Sequence, residues 1–522
     1  MATFVGVDIG TTSTKAIAYD PDGALLAEKS VGYALRSPRP GWAEQDPEEI
    51  LEAVLDSLAE VVRVVKNEGE GGISGVSFSA AMHSVLALDA EGTPLTSAIT
   101  FADNRASRQA DRIRDEMDGA EIHRRTGTPI HPMSPLTKLL WFREENREIF
   151  DAAARWVSIK EYVFYMLFGE YVVDYSIASA TGLFNLRELG WDEGVLEMLG
   201  LSPEKLSLPV PTTHVVQGLS AEYADRLGLD ADTPFVVGAN DGVLANLGLG
   251  ATNPGTVACS IGTSGAVRSV VTEPQVDAER RLFCYALAED KWVIGGPINN
   301  GGIALQWAVE ELFPGLKEDA EEQGRDPHEL ASELVEEVPA GSGGVIFLPY
   351  LTGERAPHWN ADVSGVFFGI NLQHGRKHLI RAVMEGVIYQ MYAVQRALEK
   401  VIGEPGEIRA TGGFANSALW RQIMADVFRR EIVFPESYES SCWGAALLGM
   451  KALGAIDSLD VSDDMTRIST RHRPEEDSVA VYEELTEIFG RLYERLEPEF
   501  AEISKFQRRY QEGEKGSERG RL

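Results

Sequence analysis

A short polar turn near the start of the chain carries residue types that can bind phosphate. Gly10 allows backbone to approach a ligand closely. The hydroxyls and amides of Thr11, Thr12 and Thr14 are donors suited to phosphate oxygens. Asp8 ends the strand before the turn, where a carboxylate can hold Mg2+ through water. An ordinary β-turn with a solvated tip explains the same residues, and the spacing of a P-loop is absent.

The same arrangement occurs a second time, far along the chain. Ile9–Thr12 (Ile-Gly-Thr-Thr) is repeated as Ile261–Ser264 (Ile-Gly-Thr-Ser), with strand-forming residues on both sides each time. A distant internal repeat of this kind indicates a duplicated domain. We therefore expect two phosphate-binding turns, one in each domain, that face each other across a cleft and hold a polyphosphate from both sides.

Asp241 has the position expected of a general base. The apolar segment 235–239 predicts a buried strand, and Asn240 and Asp241 follow at its end, before a glycine. A carboxylate at the tip of a buried strand is well placed to take a proton from a bound substrate. A simple Asx turn is the alternative interpretation of these residues.

Two further segments carry polar residues that could contact a polyol or a sugar acid. Met82 and His83 follow a predicted strand, where ligand-binding loops of α/β sheets lie. Asp103, Asn104 and Arg105 combine an acid, an amide and a guanidinium in consecutive positions. The ordinary alternatives are a core histidine for His83 and a helix start for the second segment.

A glycine-rich segment in the second half is suited to a nucleotide. A predicted strand ends at Gly412 and Gly413, and Asn416 follows in a helix start. Backbone there can lie against an adenine or ribose, and a helix N-terminus favours phosphate. The acidic segment 315–335 is predicted to lie on the surface.

The elements that position these residues follow a recognisable order. Three short strands are followed by a helix that begins at Asp46–Pro47, with Asp as N-cap and Pro in the first turn, and then by a strand over 73–78. This order is typical of a ribonuclease-H-like (actin-like) half. Near the C-terminus, apolar residues at helical spacing predict a packing helix that is interrupted near Pro498.

Composition restricts the possible partners. The chain has 522 residues, 44% of them hydrophobic, and a net charge of −33. Such a charge argues against nucleic acid or an anionic membrane as partner. Apolar runs are too short for a membrane span and no signal peptide is evident, so we expect a cytoplasmic protein. The three cysteines lack metal-ligand spacing and are expected to be reduced. Salt adaptation and a GC-rich genome both fit the acid-rich, lysine-poor composition.

Taken together, these residues resemble the FGGY carbohydrate kinases, over roughly residues 3–455. Met133–Glu145 fits the first stretch by which that family is recognised. Gly365–Ile370, followed by residues 378–385, fits the second. The resemblance implies an α/β protein with two ribonuclease-H-like (actin-like ATPase) domains and an interdomain active-site cleft. The expected domains are 1–248 for sugar binding and catalysis, 249–455 for the nucleotide, and 456–522 as a helical extension and tail.

The resemblance also implies cofactors and roles for individual residues. ATP and Mg2+ are the expected cofactors, with Asp241 as the catalytic base and Asp8 as the acid that holds the metal through water. The expected substrate-binding residues are Gly10, Met82, His83, Asp103, Asn104, Arg105, Asn240 and Asp241. The expected ATP- and phosphate-binding residues are Thr11, Thr12, Thr14, Gly262, Thr263, Ser264, Gly302, Gln306, Gly412, Gly413 and Asn416.

Within the family, residues 79–84, 102–105, 125–133 and 295–302 resemble the branch that phosphorylates gluconate. The implied reaction is ATP-dependent conversion of D-gluconate to 6-phospho-D-gluconate, which feeds the pentose phosphate pathway. Arg105, Arg125, His83 and His131 are candidate partners for the substrate carboxylate. A xylulokinase-like pentulose kinase and a non-catalytic ATP- or sugar-binding protein of the same fold are the alternatives. A homodimer is the assembly that we consider for it.

Overall fold

The computed structural model describes residues 2–69, 71–288, 290–436 and 440–519, with side chains up to residue 510. The chain divides into two compact units. The first comprises Met1–Thr256, Ser269–Ile294 and Ser437–Arg467, and the second comprises Val257–Arg268, Gly295–Glu436 and Ile468–Leu522. Each unit thus draws on separate stretches of the chain, whereas the predicted domains 1–248, 249–455 and 456–522 are continuous. That division stays a prediction.

The strands are short, as is usual in α/β proteins. They are β1 (Thr3–Ile9), β2 (Ser13–Tyr19), β3 (Leu25–Gly32), β4 (Glu44–Gln45), β5 (Ile73–Ala80), β6 (Leu86–Leu88), β7 (Ala98–Ile99), β8 (Arg155–Val157), β9 (Val172–Asp174), β10 (Phe184–Asn185), β11 (Gly190–Trp191), β12 (Leu208–Val210), β13 (Val215–Val216), β14 (Phe235–Asn240), β15 (Thr256–Ile261), β16 (Gly265–Val271), β17 (Phe283–Ala288), β18 (Lys291–Ile298), β19 (Ile346–Leu348), β20 (Val366–Phe368), β21 (Glu407–Thr411), β22 (Ile432–Pro435) and β23 (Ile468–His472).

Helices make up most of the remaining structure. They are α1 (Pro47–Asn67), α2 (Ser107–Glu116), α3 (Gly119–Thr126), α4 (Pro135–Glu145), α5 (Arg147–Ala152), α6 (Ile159–Phe168), α7 (Tyr175–Ser179), α8 (Glu193–Leu199), α9 (Ala221–Leu227), α10 (Asp241–Gly248), α11 (Gly302–Trp307), α12 (Pro314–Gln323), α13 (Pro327–Leu334), α14 (Arg376–Ile402), α15 (Ala418–Phe428), α16 (Ser440–Ala452), α17 (Val461–Met465) and α18 (Glu476–Arg519). Among the described residues, no helix is both long enough and apolar enough to cross a membrane.

The first unit contains the half-domain predicted from the order of its elements. Its six-stranded sheet has the order β13-β14-β5-β1-β2-β3. β1, β2 and β3 are antiparallel neighbours, and β5 returns parallel to β1. Helix α1 begins where expected, because the side chain of Asp46 accepts a hydrogen bond from the amide of Glu48 at 3.0 Å. The predicted fold class is confirmed for this sheet.

Alternation along the strands buries both faces of this sheet. Val5, Val7 and Ile9 of β1 belong to a core cluster that contains the apolar face of α1. Phe4, on the opposite face, belongs to a second cluster that contains residues of α10 and α16. Successive strand side chains point to opposite faces, so one short strand anchors both layers. The polar ends of β1, β5 and β14 are thereby fixed at the edge of a rigid sheet.

The second unit contains four neighbouring strands of a further sheet and the two longest helices among the described residues. β15, β21, β22 and β23 are neighbours in that order, with β21 and β22 parallel. The predicted interruption of the C-terminal helix is wrong, because α18 runs through Pro498 without a break. Buried aromatic residues on both sides, Tyr493 and Phe500, hold the helix there, and such packing can offset the hydrogen bond that proline removes.

A buried ionic network joins α18 to α14 in this unit. Glu385 is fully buried and accepts hydrogen bonds from Arg381, from the hydroxyl of Tyr482 and from the amide of Gly341, at 2.8, 2.8 and 3.0 Å. Glu385 lies in the second stretch of the sequence that resembles the FGGY kinases. Its contacts give it a structural role.

Candidate active site

Tyr33 and Gln45, which the sequence analysis did not single out, bind the carbonyl groups of the first polar turn. The carbonyl of Gly10 accepts the hydroxyl of Tyr33 at 2.7 Å, and that of Thr11 accepts the side-chain amide of Gln45 at 2.6 Å. The Thr12 carbonyl accepts the amide of Tyr33 at 3.0 Å. Burial, together with the nearby carboxylate of Asp8, raises the pKa of Tyr33 to about 12, so its phenol stays protonated and can donate.

Asp8 and Thr14 have different surroundings beside this turn. Asp8 is half-buried, and one of its oxygens accepts the hydroxyl of Ser79 at 2.5 Å from the neighbouring strand β5. Thr14 lies inside β2, is fully buried, and its hydroxyl is 3.4 Å from that of Tyr33. The side chain of Thr14 therefore supports the turn from inside, and its expected role in binding phosphate stays a prediction. Thr11 is half-buried and Thr12 is exposed.

Asp241 is the first residue of α10 and follows the buried strand β14 directly. Asn240 is the N-cap of this helix, since its side chain accepts the amide of Val243 at 2.8 Å. The amide of Gly242 donates to the Asp241 carboxylate at 2.7 Å. A helix N-terminus stabilises a negative charge, so this position favours the ionised carboxylate that a general base requires.

One buried lysine connects the segments expected to contact the sugar. Lys138 of α4 is fully buried, and its ammonium donates to the carbonyls of His83, Thr100 and Met133 at 2.8, 2.7 and 2.7 Å. Burial lowers the pKa of Lys138 to about 7, and the charge of Asp103 opposes that shift. Three carbonyl acceptors match the three N–H groups of an ammonium. Lys138 lies in the first FGGY-like stretch, the one sequence feature that could have indicated its role.

Asp103 and Arg105 pair with each other in the loop where substrate contacts are expected, and their role as such contacts stays a prediction. Asp103 is fully buried and accepts the amide of Ala43 at 2.7 Å, while Arg105 donates to both of its carboxylate oxygens, at 2.9 and 2.7 Å. Arg105 also donates to Glu44 at 2.5 Å and lies over the Trp42 ring at 3.6 Å. These side chains form a buried ion pair that holds the loop.

The other predicted sugar-side residues occupy varied positions. Met82 is half-buried and Asn104 is exposed. His83 is buried in a left-handed conformation with φ 69°, and its Nδ1 lies 2.8 Å from the carbonyl of Ala180. Arg125, a candidate for the substrate carboxylate, is already paired with Asp192 through two bonds at 2.8 and 3.1 Å. The two arginines considered for that carboxylate are therefore both engaged by acids of the protein.

The second turn is held in the same manner as the first. The amide of Gly262 donates to the Ser264 carbonyl at 2.8 Å. The carbonyls of Gly262 and Thr263 accept the amides of Gly302 and Gly301, at 2.7 and 3.1 Å. In both turns, protein donors therefore hold the carbonyl side. The repeat seen in the sequence extends to how the turns are supported.

A cavity of about 550 Å3 in the second unit brings together most of the predicted nucleotide residues. Its predicted lining residues are Gly262, Thr263, Gly302, Gln306, Gly413 and Asn416. Leu305, Phe414 and Trp420 supply apolar surface. Polar residues of the α13 region also line it, namely Asp326, His328, Glu329, Ser332, Glu333 and Glu336. The segment predicted to be plain acidic surface therefore contributes a cavity wall. A cavity of this size, part apolar and part polar, is suited to a small cofactor.

Glu354, which the sequence analysis did not single out, holds the segment that precedes α11. It is fully buried and accepts the amides of Asn299 and Arg355 at 2.6 and 2.8 Å. The Asn300 side chain donates to the Gly353 carbonyl at 2.8 Å. Burial raises the pKa of Glu354 to about 7, against these hydrogen bonds.

This raised pKa predicts a pH-dependent contribution to stability. Between pH 4.5 and about pH 7, the folded protein keeps a proton on Glu354 that the unfolded chain releases. The stability of the folded protein is therefore lost as the pH rises through this window. The Glu354→Gln variant should lack this component. Its thermal stability should therefore rise relative to that of the unaltered protein as the pH increases from 5 to 8. Thermal unfolding at several pH values measures it. Glu318→Gln, at an exposed position of α12, is the control, and parallel profiles for all three proteins would contradict the prediction.

Three comparisons with known proteins all point to one family of kinases. The model of the FGGY family of carbohydrate kinases matches with its N-terminal domain at residues 3–248 and its C-terminal domain at 257–453. The gluconokinase of Bacillus subtilis (strain 168) is 50% identical over 97% of this chain and 98% of its own length. Two crystal structures from Lactobacillus acidophilus are also similar. The gluconate kinase has a TM-score of 0.90 with 35% identity, covering 96% and 99% of the two chains. The ligand-bound xylulose kinase has a TM-score of 0.91 with 34% identity, covering 96% and 100%.

Proposed function

Because the chain belongs to the FGGY family of carbohydrate kinases, we propose that this carbohydrate kinase phosphorylates D-gluconate with ATP. The products would be 6-phospho-D-gluconate, which feeds the pentose phosphate pathway, and ADP. The observation that supports this substrate most is the 50% identity to a gluconokinase over nearly the whole length. The chain keeps an acid at the end of β14 and both polar turns, as the reaction requires.

In this proposal, each unit supplies one part of the reaction. Asp241 of the first unit accepts the proton of the terminal hydroxyl of gluconate while that oxygen forms a bond to the γ-phosphorus. The bond between that phosphorus and the leaving ADP oxygen breaks, and the proton later leaves Asp241 for solvent. The cavity of the second unit holds the nucleotide, with the turn at Gly262–Ser264 beside its phosphates. Phosphoryl transfer depends mainly on positioning and charge stabilisation, and both turns provide donors for that purpose.

Mg2+ is the metal that we propose, held by Asp8 through water. Among the described residues, no group of three or more His, Cys, Asp or Glu side chains is placed to hold a metal ion. Mg2+ commonly keeps several waters and binds through one or two carboxylates together with substrate phosphates. The half-buried carboxylate of Asp8, with one oxygen bonded to Ser79, fits that pattern. When bound, the ion would neutralise charge on the phosphates.

The remaining expectations belong to the same proposal. We propose a cytoplasmic enzyme that binds no nucleic acid, in keeping with its net charge of −33. A homodimer is the proposed assembly.

A substrate panel tests the proposal. ADP release by the purified chain with ATP and Mg2+ is followed on D-gluconate, D-xylulose, ribulose, glycerol and fuculose. We expect kcat/KM for gluconate to exceed every other value by at least ~100-fold, because a site built to bind polar groups rejects analogues that lack them. The product should also be oxidised by 6-phosphogluconate dehydrogenase, which identifies the phosphorylated position.

The panel separates the two alternatives as well. A pentulose kinase, which the similarity to a xylulose kinase structure favours, would turn over D-xylulose or ribulose best. A non-catalytic binding protein would release no ADP with any sugar. Either outcome would overturn the assignment to gluconate.

A further inference from the structure

We propose that the buried ion pair between Lys160 and Asp174 positions the Asp241 carboxylate for proton abstraction. This inference rests on the proposed role of Asp241 as base. It assigns Lys160 and Asp174 as positioning residues, since they act through the segment that carries Asp241.

Lys160 holds the strand that leads to Asp241. Its side chain, on α6, is 3% exposed, and its Nζ lies 2.6 Å from a carboxylate oxygen of Asp174. The same Nζ donates to the carbonyl of Ala239 at 3.2 Å. Ala239 is the second residue before Asp241, in the last part of β14. The ammonium therefore fixes the end of the strand from which the base projects.

Asp174 holds Asn240, the residue after Ala239, through the short helix α7. Its second carboxylate oxygen accepts the amide of Ile177 at 2.8 Å and so caps α7. Ser176 of this helix accepts both the backbone amide of Asn240, at 3.2 Å, and its side-chain amide, at 2.8 Å. The two residues before Asp241 are thus each held by one member of the ion pair, directly or through α7.

Three carboxylates around Lys160 counteract, without cancelling, the lowering of its pKa by burial. Burial lowers the pKa of Lys160, whereas the carboxylates of Asp174, Glu161 and Asp241 raise it. Glu161 is itself held at 2.6 Å by the amide of Ser158 in the capping box of α6. A cation that interacts with Asp241 stabilises its ionised form, which is the form that accepts a proton.

Stability alone gives little reason for such a pair. Replacing a buried ion pair by neutral residues of similar size is often neutral or stabilising, because both charges must be desolvated. Removing one member leaves an unpaired buried charge and is strongly destabilising. A buried pair whose two members hold the residues just before Asp241 is therefore better explained by positioning than by stability, and it should be tested by changing both members together.

The test is a double-mutant cycle with the base. The variant Lys160→Met/Asp174→Asn keeps an oxygen that can cap α7 while removing both charges. We expect kcat to fall by about 10- to 100-fold, within the range of general-base catalysis, with KM for gluconate and for ATP changed less than about threefold. In an Asp241→Asn background the same change should reduce the residual turnover by less than about threefold, because residues that act through one group are not additive.

Lys138→Met is the matched control, since Lys138 is also a buried lysine of the first unit but donates to carbonyls of His83, Thr100 and Met133. The factor by which Lys138→Met lowers kcat should be the same with and without Asp241→Asn. If the Lys160→Met/Asp174→Asn variant does not fold, Lys160→Gln/Asp174→Asn, which also removes both charges together, serves in the same cycle. Full activity of the charge-free variant, or losses that multiply with Asp241→Asn, would overturn the inference. An unaltered protein without gluconate-dependent ADP release would instead refute the proposed function. An Asp241→Asn variant with near-full turnover of gluconate would leave that function standing, but it would remove Asp241 from the role of base and overturn this inference with it.

Discussion

Replacing Asp241 with asparagine is expected to lower kcat by at least ~100-fold, the usual contribution of a general base. Asparagine has the same shape but accepts no proton at neutral pH. Its side-chain oxygen can keep the bond from the amide of Gly242, so α10 should begin as before. ATP binding should stay nearly unchanged, because the proposed nucleotide cavity is lined by residues of the second unit. Steady-state kinetics, titration calorimetry with ATP and thermal unfolding measure the three quantities.

Asp46→Asn provides the control for this substitution. Asp46 is also an acid at a helix start, capping α1 through the amide of Glu48, and asparagine is an equally good N-cap. Its kcat should match that of the unaltered protein. An Asp241→Asn variant that turned over gluconate at a comparable rate would remove Asp241 from the role of base.

Features that depend on neighbouring residues could be predicted from the sequence. The start of α1 follows from Asp46 and Pro47 alone, and the structure places it there. The two polar turns follow from glycine and threonine between strand-forming residues, and their repetition indicated a duplicated half-domain. In each case the physical cause lies within a few residues, so it is visible without the fold.

Features that depend on distant contacts could not be predicted. The carbonyl of Ala239 is bound by Lys160, 79 residues away, and the amide of Asn299 by Glu354, 55 residues away. Nothing in the local sequence around either residue indicates its partner. The acidic α13 region was assigned to the surface because its residues are polar, and exposure of polar side chains does not distinguish open surface from a cavity wall.

Asp103 and Arg105 show a further limit of sequence patterns. An acid and a guanidinium two positions apart can bind a polar ligand, and they can equally well bind each other. Which partner each one takes depends on burial, since Asp103 has no exposed surface and a buried charge must be paired. Local sequence gives residue types, whereas the fold decides which of their partners are protein groups.

Gly412→Ala is expected to destabilise the protein by about 2–6 kcal/mol and to weaken ATP binding. Gly412 has φ 108°, a conformation that residues with a Cβ rarely adopt, and such strain costs about 1–3 kcal/mol. A Cβ there would lie 2.2 Å from the carbonyl oxygen of Ile261, and overpacking of this kind adds about 1–3 kcal/mol. Ile261 lines the cavity proposed for the nucleotide and precedes the second turn, so displacement of its backbone should change the site as well.

Gly413→Ala separates the effect of the backbone from that of the cavity. A Cβ at Gly413 meets no heavy atom within 4 Å, so thermal stability should stay within about 0.5 kcal/mol of the unaltered protein. Gly413 does line the cavity, and the methyl group of an alanine at this position would occupy space proposed for the nucleotide. We therefore expect Gly412→Ala to lower both thermal stability and ATP affinity, and Gly413→Ala to lower ATP affinity alone. Equal unfolding temperatures for the two variants would contradict the steric argument. Unchanged ATP affinity in both would place the nucleotide elsewhere.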